Sequence, residues 1–427
     1  MLYKDYLQNR RPYQIDGHLF LLQRKHCCLY FKPGKGKTFP CIDAIRDINE
    51  SKNGNAKVLI LSTADAIREM WTSEILPQKI LPENTVLCSF SSAIVEARKK
   101  QLLKVKWDII VVDECHKVKA HNTKTSRLVF MLSRNAEYVF GLSGTPRANS
   151  DVDLFCQFHN MRIGEWGDIS YTQFVDYCCD IDKKYFGGQM IKVPIGVTEK
   201  YKAGWERNIA MYTMRADYTD EDEMPPLNTN IIEFPFKRSK EYEDAEQGLL
   251  RINDYETTMT KLAATNKLHQ AANGYLYVPL QDGIKIYNFQ YNIKLDWLKE
   301  HIANEPTTVV YRFKADFNAI IDMLNSNAIT WTENVNDFQK GKARVLILQC
   351  SRCESFNLQM CKHLIFYTID YSFIKFDQML HRVWRMGQKQ EVNIDILIFK
   401  HSIESKIWKI VNNKQTFSDL FYAIKAE

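Results

Sequence analysis

Two short stretches hold the side chains best able to do chemistry. The first is Leu29-Tyr30-Phe31-Lys32-Pro33-Gly34-Lys35-Gly36-Lys37-Thr38: an apolar run, a turn with two glycines, then a Lys-Thr pair opening a helical pattern. A strand that runs through a glycine turn into a helix N-terminus converges backbone N–H groups on an anion, and the helix dipole favours negative charge there. In that arrangement Gly34, Lys35 and Gly36 wrap a polyphosphate, Lys37 reaches its outer phosphates, and Thr38 is a Mg²⁺ ligand. Phe31 stands where the full phosphate-loop pattern wants a first glycine, so on this stretch alone an ordinary lysine-bearing turn stays open. The second stretch closes the most apolar run in the chain, Ile109 to Val112, with Asp113-Glu114-Cys115-His116. Beside a bound nucleoside triphosphate, Asp113 is placed to hold Mg²⁺ with Thr38. Glu114 is placed to polarise the attacking water, a role that needs an ionised carboxylate.

Both stretches must be positioned by the same kind of element. In the first 150 residues, continuous apolar strands alternate with helical patterns: strands near 27–31, 58–63, 86–90, 108–114 and 138–143. Such alternation predicts an α/β fold with a parallel sheet covered on both faces, whose ligands bind beyond the carboxyl ends of the strands. Phe31, Thr63, Asp113, Glu114 and Ser143 all fall at such ends. From about 150 to 305 the pattern loosens into aromatic-rich, mostly helical stretches, with the acidic Thr219–Pro226 segment read as a solvated junction. From about 305 the alternation resumes, so the chain is expected to hold two α/β lobes.

Composition narrows the function classes. A length of 427 residues allows two or three domains, and 45% hydrophobic with 25% charged residues excludes a disordered chain. No apolar run is long enough to span a membrane and no signal-peptide core opens the chain, so a cytoplasmic protein is expected. The eleven cysteines lack secreted-scaffold spacing and read as reduced, buried thiols. Cys350, Cys353, Cys361 and His363 imitate a zinc spacing but straddle a strand, and no metal site is assigned to them. A net charge of +6 is compatible with nucleic acid without demanding it. The basic cluster Arg98-Lys99-Lys100, Lys104 and Lys106 reads as a solvated helix face, and Trp71 as core rather than a stacking platform.

Taken together, Gly36-Lys37-Thr38, Asp113-Glu114-Cys115-His116 and Leu142-Ser143-Gly144-Thr145-Pro146 resemble motifs I, II and III of superfamily 2 helicases. More of the chain resembles one branch, the SWI/SNF-type ATPases and their compact phage- or bacterial-like relatives. Arg11-Pro12-Tyr13-Gln14 is similar to the Q motif, Tyr311-Arg312-Phe313 to motif IV, Ser351 to Gln359 to motif V, and Gln378 to Gln388 to motif VI. In that branch the position of Phe31 is commonly not glycine. Lys32, Pro33 and Ser355 depart from the usual motif residues.

The resemblance implies two RecA-like parallel-sheet lobes with a helical insertion after motif III. The expected division is 1–150 for the N-terminal ATP-binding lobe, 151–227 for the insertion and 228–427 for the C-terminal lobe, with a helical lead-in at 228–305. It implies an ATP- and Mg²⁺-dependent DNA translocase. Lys37, Asp113, Glu114, Arg382 and Arg385 would be catalytic, the two arginines as fingers to the γ-phosphate. Gln14 would read adenine, and Gly387 and Gln388 would complete the nucleotide contacts. Thr63, Lys119, Ser143, Thr145, Arg312, Asn357 and Gln378 would contact or couple to nucleic acid. Duplex or branched DNA, read without sequence preference, is the implied partner, with replication or recombination proteins as further candidates and a monomer when free. The localisation becomes nuclear if the source is eukaryotic. A strand-separating helicase on forked or single-stranded DNA or RNA shares every ATP motif. A nucleotide-gated subunit of a larger DNA-processing complex is the non-enzyme alternative.

Overall fold

A computed structural model describes the chain except for residues 1, 145–150, 187–188, 220–223, 253–254, 281–282, 303–304, 353–357, 386–387, 389 and 414–427. The chain divides into two compact units, Met1–Asp222 and Glu223–Glu427. Each is built on one six-stranded, all-parallel sheet, the α/β architecture expected from the alternation.

In the first unit the strands are β1 (His26–Phe31), β2 (Val58–Ser62), β3 (Thr85–Ser89), β4 (Ile109–Asp113), β5 (Tyr138–Leu142), β6 (Cys179–Phe186), β7 (Gln189–Val197) and β8 (Thr213–Ala216). The sheet order is β3-β2-β4-β5-β1-β8, and β6 and β7 form a separate antiparallel hairpin. Alternate residues of each central strand enter opposite cores. Leu59, Leu61, Ile110 and Val112 face one layer of helices, while Val58, Ile60, Ile109 and Val111 face the other. Every one of these side chains is 0% exposed, so each contributes on the order of 1.5–3 kcal/mol of apolar burial. This is why these strands read as continuous apolar runs.

The helix Tyr3–Asn9 is clasped to the helix Thr38–Ser51, because Tyr3 and Tyr6 both donate their hydroxyls to Asp43 and stack near Phe39. The last strand, β8, lies against β1. Beyond it the backbone N–H of Lys32 donates to the Ala216 carbonyl at 2.9 Å, and the Tyr218 hydroxyl donates to the Pro33 carbonyl at 2.6 Å.

The second unit continues with β9 (Leu227–Phe234), β10 (Leu249–Ile252), β11 (Tyr255–Thr258), β12 (Tyr275–Leu280), β13 (Gly283–Asn288), β14 (Thr307–Tyr311), β15 (Trp331–Thr332), β16 (Val345–Gln349), β17 (His363–Phe366) and β18 (Val392–Phe399). Its sheet order is β15-β16-β14-β17-β18-β9, with β10–β11 and β12–β13 as hairpins. Its helices include Lys261–Ala272, Lys294–His301, Phe373–Val383 and Ile403–Asn412. Three of them meet at a buried polar knot. The Lys294 ammonium lies 2.7 Å from Glu404 Oε1, donates to the Tyr367 carbonyl at 3.2 Å, and donates to Asn273 Oδ1 at 3.1 Å.

Between 151 and 305 the structure corrects the helical expectation. Helices Asp151–Met161 and Glu199–Tyr212 are present, but a hairpin separates them and β8 then joins the first sheet. The lead-in at 228–305 is likewise mixed, and β9 belongs to the second sheet. These are edge or hairpin strands with solvated faces. Leu227-Asn228-Thr229-Asn230-Ile231-Ile232-Glu233-Phe234 buries only Phe234, so no apolar run marks it. The described cysteines are all buried and free, as their spacing suggests. No described helix is long and apolar enough to cross a membrane.

Candidate active site

The site is assembled at the carboxyl edge of the first sheet, where β1 leaves into the glycine turn. Gly34 and Gly36 have φ of 86° and 73°, backbone conformations that side chains with a Cβ resist. At Gly36 the space is closed as well, since a Cβ would meet the Gln14 amide nitrogen at 2.6 Å. Gln14 is itself buried. Its carbonyl oxygen accepts from the Arg11 backbone N–H at 3.0 Å, and its amide donates to the Lys35 carbonyl at 3.0 Å. The side chain therefore braces the turn against the start of the helix Pro12–Arg24. Phe31, the residue in place of a glycine, is wholly buried and meets Tyr13 edge-on at 5.6 Å. It serves the core beneath the turn. Gly36→Ala is expected to weaken nucleotide binding by about tenfold or more, through both the left-handed backbone and the Gln14 clash. Titration with a fluorescent nucleotide checks this.

Lys37, Asp113 and Glu114 converge. The Lys37 ammonium lies 3.5 Å from Glu114 Oε1. Asp113 is almost fully buried, and its Oδ2 accepts from the Ser62 hydroxyl at 2.9 Å and the Trp71 indole N–H at 3.1 Å. Its Oδ1 accepts from the Glu114 backbone N–H at 3.1 Å. Burial pushes the Asp113 carboxyl above the ordinary aspartate range and the Glu114 charge adds to this, while Lys37 and the two side-chain hydrogen bonds oppose it. Glu114 sits in the left-handed region, with φ 55° and ψ 51°. For a non-glycine residue that costs roughly 1–2 kcal/mol, and it turns the carboxylate back toward Lys37. His116 Nδ1 lies 3.3 Å from Glu114 Oε2 and 3.3 Å from the Ser143 hydroxyl, bridging the ends of β4 and β5. Gly144 lies so near the turn that a Cβ there would touch the Pro33 ring at 3.0 Å.

Ser62, Trp71 and His116 are thus site residues to which sequence reasoning gave no role. A serine at the carboxyl end of the strand beside Asp113 was the available signal for the first. Thr38, at the helix start, donates its hydroxyl to the Met70 sulfur at 3.8 Å. The donor set fits Mg²⁺: a buried carboxylate, a hydroxyl on the same sheet edge and a lysine for the phosphates.

The remaining candidates lie further out. Thr63 directly follows β2 and its hydroxyl accepts from the Ala66 N–H at 3.3 Å. Lys119 pairs with Asp153 at 3.6 Å. Lys99, Lys124, Arg127, His121 and His159 line a basic cavity of about 510 Å³ on the first unit. In the second unit the Arg312 guanidinium pairs with Asp370 at 3.0 Å and lies over the Tyr371 ring at 4.1 Å. Gln378 and Arg382 lie on the helix Phe373–Val383, the first of them buried. The Arg385 carbonyl accepts from the Gln388 N–H at 3.2 Å, and the Gln388 amide donates to the Gln359 and Cys361 carbonyls. Thr145, Asn357 and Gly387 fall outside the described residues.

Comparison with known proteins gives a family match and several relatives. Residues 77–183, which hold Asp113, Glu114 and Ser143, match the SNF2-related domain. Across a longer span the chain is 22% identical over 406 residues to the "Uncharacterized ATP-dependent helicase YqhH" of Bacillus subtilis, covering 84% of this chain and 69% of that protein. It is 23% identical over 453 residues to the human "DNA annealing helicase and endonuclease ZRANB3", covering 94% of this chain but 39% of that protein. The chain thus spans well under half the length of this human relative. Among solved structures, a Sulfolobus solfataricus SWI2/SNF2 ATPase core in complex with dsDNA is similar with a TM-score of 0.41 and 18% identity, over 95% of this chain and 91% of that one.

Proposed function

We propose that the chain is an ATP- and Mg²⁺-dependent motor that moves along duplex or branched DNA without sequence preference. The observation that carries this reading is the meeting of Lys37, Asp113 and Glu114 beside a doubly left-handed glycine turn. The turn's N–H groups and Lys37 bind and orient the triphosphate. Asp113 and Thr38 would hold Mg²⁺, which supplies charge neutralisation at the phosphates. Glu114 orients water and accepts its proton, with Lys37 and His116 fixing the direction of the carboxylate. From the second unit, Arg382 and Arg385 are proposed to stabilise the charge that develops on the transferred phosphoryl group. Hydrolysis that alternates the grip of two units on a phosphate backbone yields movement, and phosphate contacts carry no sequence information.

The names of the relatives, an ATP-dependent helicase and a DNA annealing helicase, support ATP as substrate and DNA as partner. The basic cavity at Lys99, Lys124 and Arg127 supports a polyanionic track on the first unit. ATP turnover by the purified chain should rise several-fold on adding duplex or forked DNA, and the stimulation should fall steeply with salt. Turnover indifferent to every nucleic acid would remove the motor reading. Displacement of a triplex strand without unwinding of the duplex would separate translocation from strand separation.

A further inference from the structure

Residues Ala66–Ile75 form a π-helix, closed by the Leu76 N–H donating back to the Trp71 carbonyl five residues earlier. Runs of this winding are rare, and they concentrate where a side chain must be aimed against the ordinary helical period. Here two consecutive side chains are aimed at the site. Met70 offers its sulfur to the Thr38 hydroxyl at 3.8 Å, and the Trp71 indole N–H donates to Asp113 Oδ2 at 3.1 Å. Trp71 is 0% exposed, and the partner its N–H finds is the most deeply buried carboxylate of the site. A tryptophan serving the core alone would pack its rings against any neighbour; beyond its larger ring, the indole differs from phenylalanine in carrying an N–H donor.

We infer that Trp71 is a positioning residue for the Asp113 carboxylate, holding it in the orientation that receives Mg²⁺. The inference rests on the nucleotide-site reading above and adds a residue to it. With Trp71 and Ser62 both on Oδ2 and the Glu114 N–H on Oδ1, the carboxylate has no free rotation left. A hydrogen bond to an ionised carboxylate is among the stronger kinds, and it fixes the direction in which the oxygen points. The π-helix begins where the Thr63 hydroxyl accepts from Ala66 N–H, so the same short segment ties the end of β2 to both Thr38 and Asp113.

The test is Trp71→Phe in the full chain, which keeps a ring and removes the donor. Affinity for a fluorescent, non-hydrolysable ATP analogue is measured with Mg²⁺ and with chelator. The Mg²⁺-dependent gain should shrink about tenfold with chelator-state affinity close to wild type, while the smaller ring lowers the melting temperature without changing that ratio. DNA-stimulated kcat should fall by a similar factor while KM changes little. Ser62→Ala, a smaller change on the same oxygen, should move both readouts in the same direction. A Trp71→Phe protein with the wild-type Mg²⁺ gain overturns the inference, as does equal loss of affinity with and without Mg²⁺. If the wild-type chain binds nucleotide with no Mg²⁺ gain, both this inference and the function above fail.

Discussion

Lys37→Ala is expected to abolish ATP turnover, with kcat/KM down by at least about 10²-fold, while Glu114→Gln stops turnover and keeps the nucleotide bound. The split follows from where the two side chains stand. In the proposed site Lys37 rises from the turn that would wrap the phosphates, so its loss should remove ground-state binding along with transition-state charge. Glu114 faces Lys37 at 3.5 Å from a strained backbone, and glutamine preserves its shape and can still face both Lys37 and His116. What glutamine cannot do is take a proton from water, a contribution of about 10²–10⁴-fold. Steady-state hydrolysis alongside equilibrium binding of a fluorescent nucleotide checks both variants. A Glu114→Gln protein that still turns over at wild-type rate would remove Glu114 from the chemistry.

The second large effect lies in the core of the second unit. Lys294 and Glu404 are each buried, and removing the lysine strands a carboxylate in the core of the second unit. Lys294→Met is therefore expected to cost about 3–5 kcal/mol, read as loss of the second unit's transition in calorimetry. Glu404→Gln added to it should restore part of the loss, since no charge is then left unpaired. The pair also makes stability depend on pH. Burial alone would raise the Glu404 carboxyl, but the Lys294 ammonium and His269 overcome this and hold it down at about 2, below the ordinary 4.5. A depressed carboxyl contributes stability that is complete above about pH 4.5 and is lost as pH falls toward 2. Glu404→Gln should flatten that acid limb.

The parts of the site legible in the sequence are those whose chemistry is local. A glycine turn after an apolar strand, and two carboxylates closing another, announce themselves because the strand places them and the residue types do the rest. Trp71 is different. Its hydrogen bond spans 42 residues and depends on a π-helical twist that leaves no mark in hydrophobic periodicity. Its ring reads as core, which it is, and the N–H is silent until Asp113 stands beside it. His116 is similar, since its value lies in bridging two strand ends that only the sheet order makes neighbours. The central strands were legible because both faces are dry. β8 and β9 escaped because edge strands carry mixed side chains, and their membership in a sheet is decided by backbone pairing.

That last strand has a mechanical meaning. β8 is the stretch by which the polypeptide quits the first unit, and its end is fastened to Lys32 and Pro33 of the glycine turn. Whatever displaces those two residues tugs the outgoing chain directly, with no relay through the helices or the core. The turn is thereby tied to the outgoing strand of the first unit as well as to its own sheet, so a shift of Lys32 or Pro33 is felt first at β8.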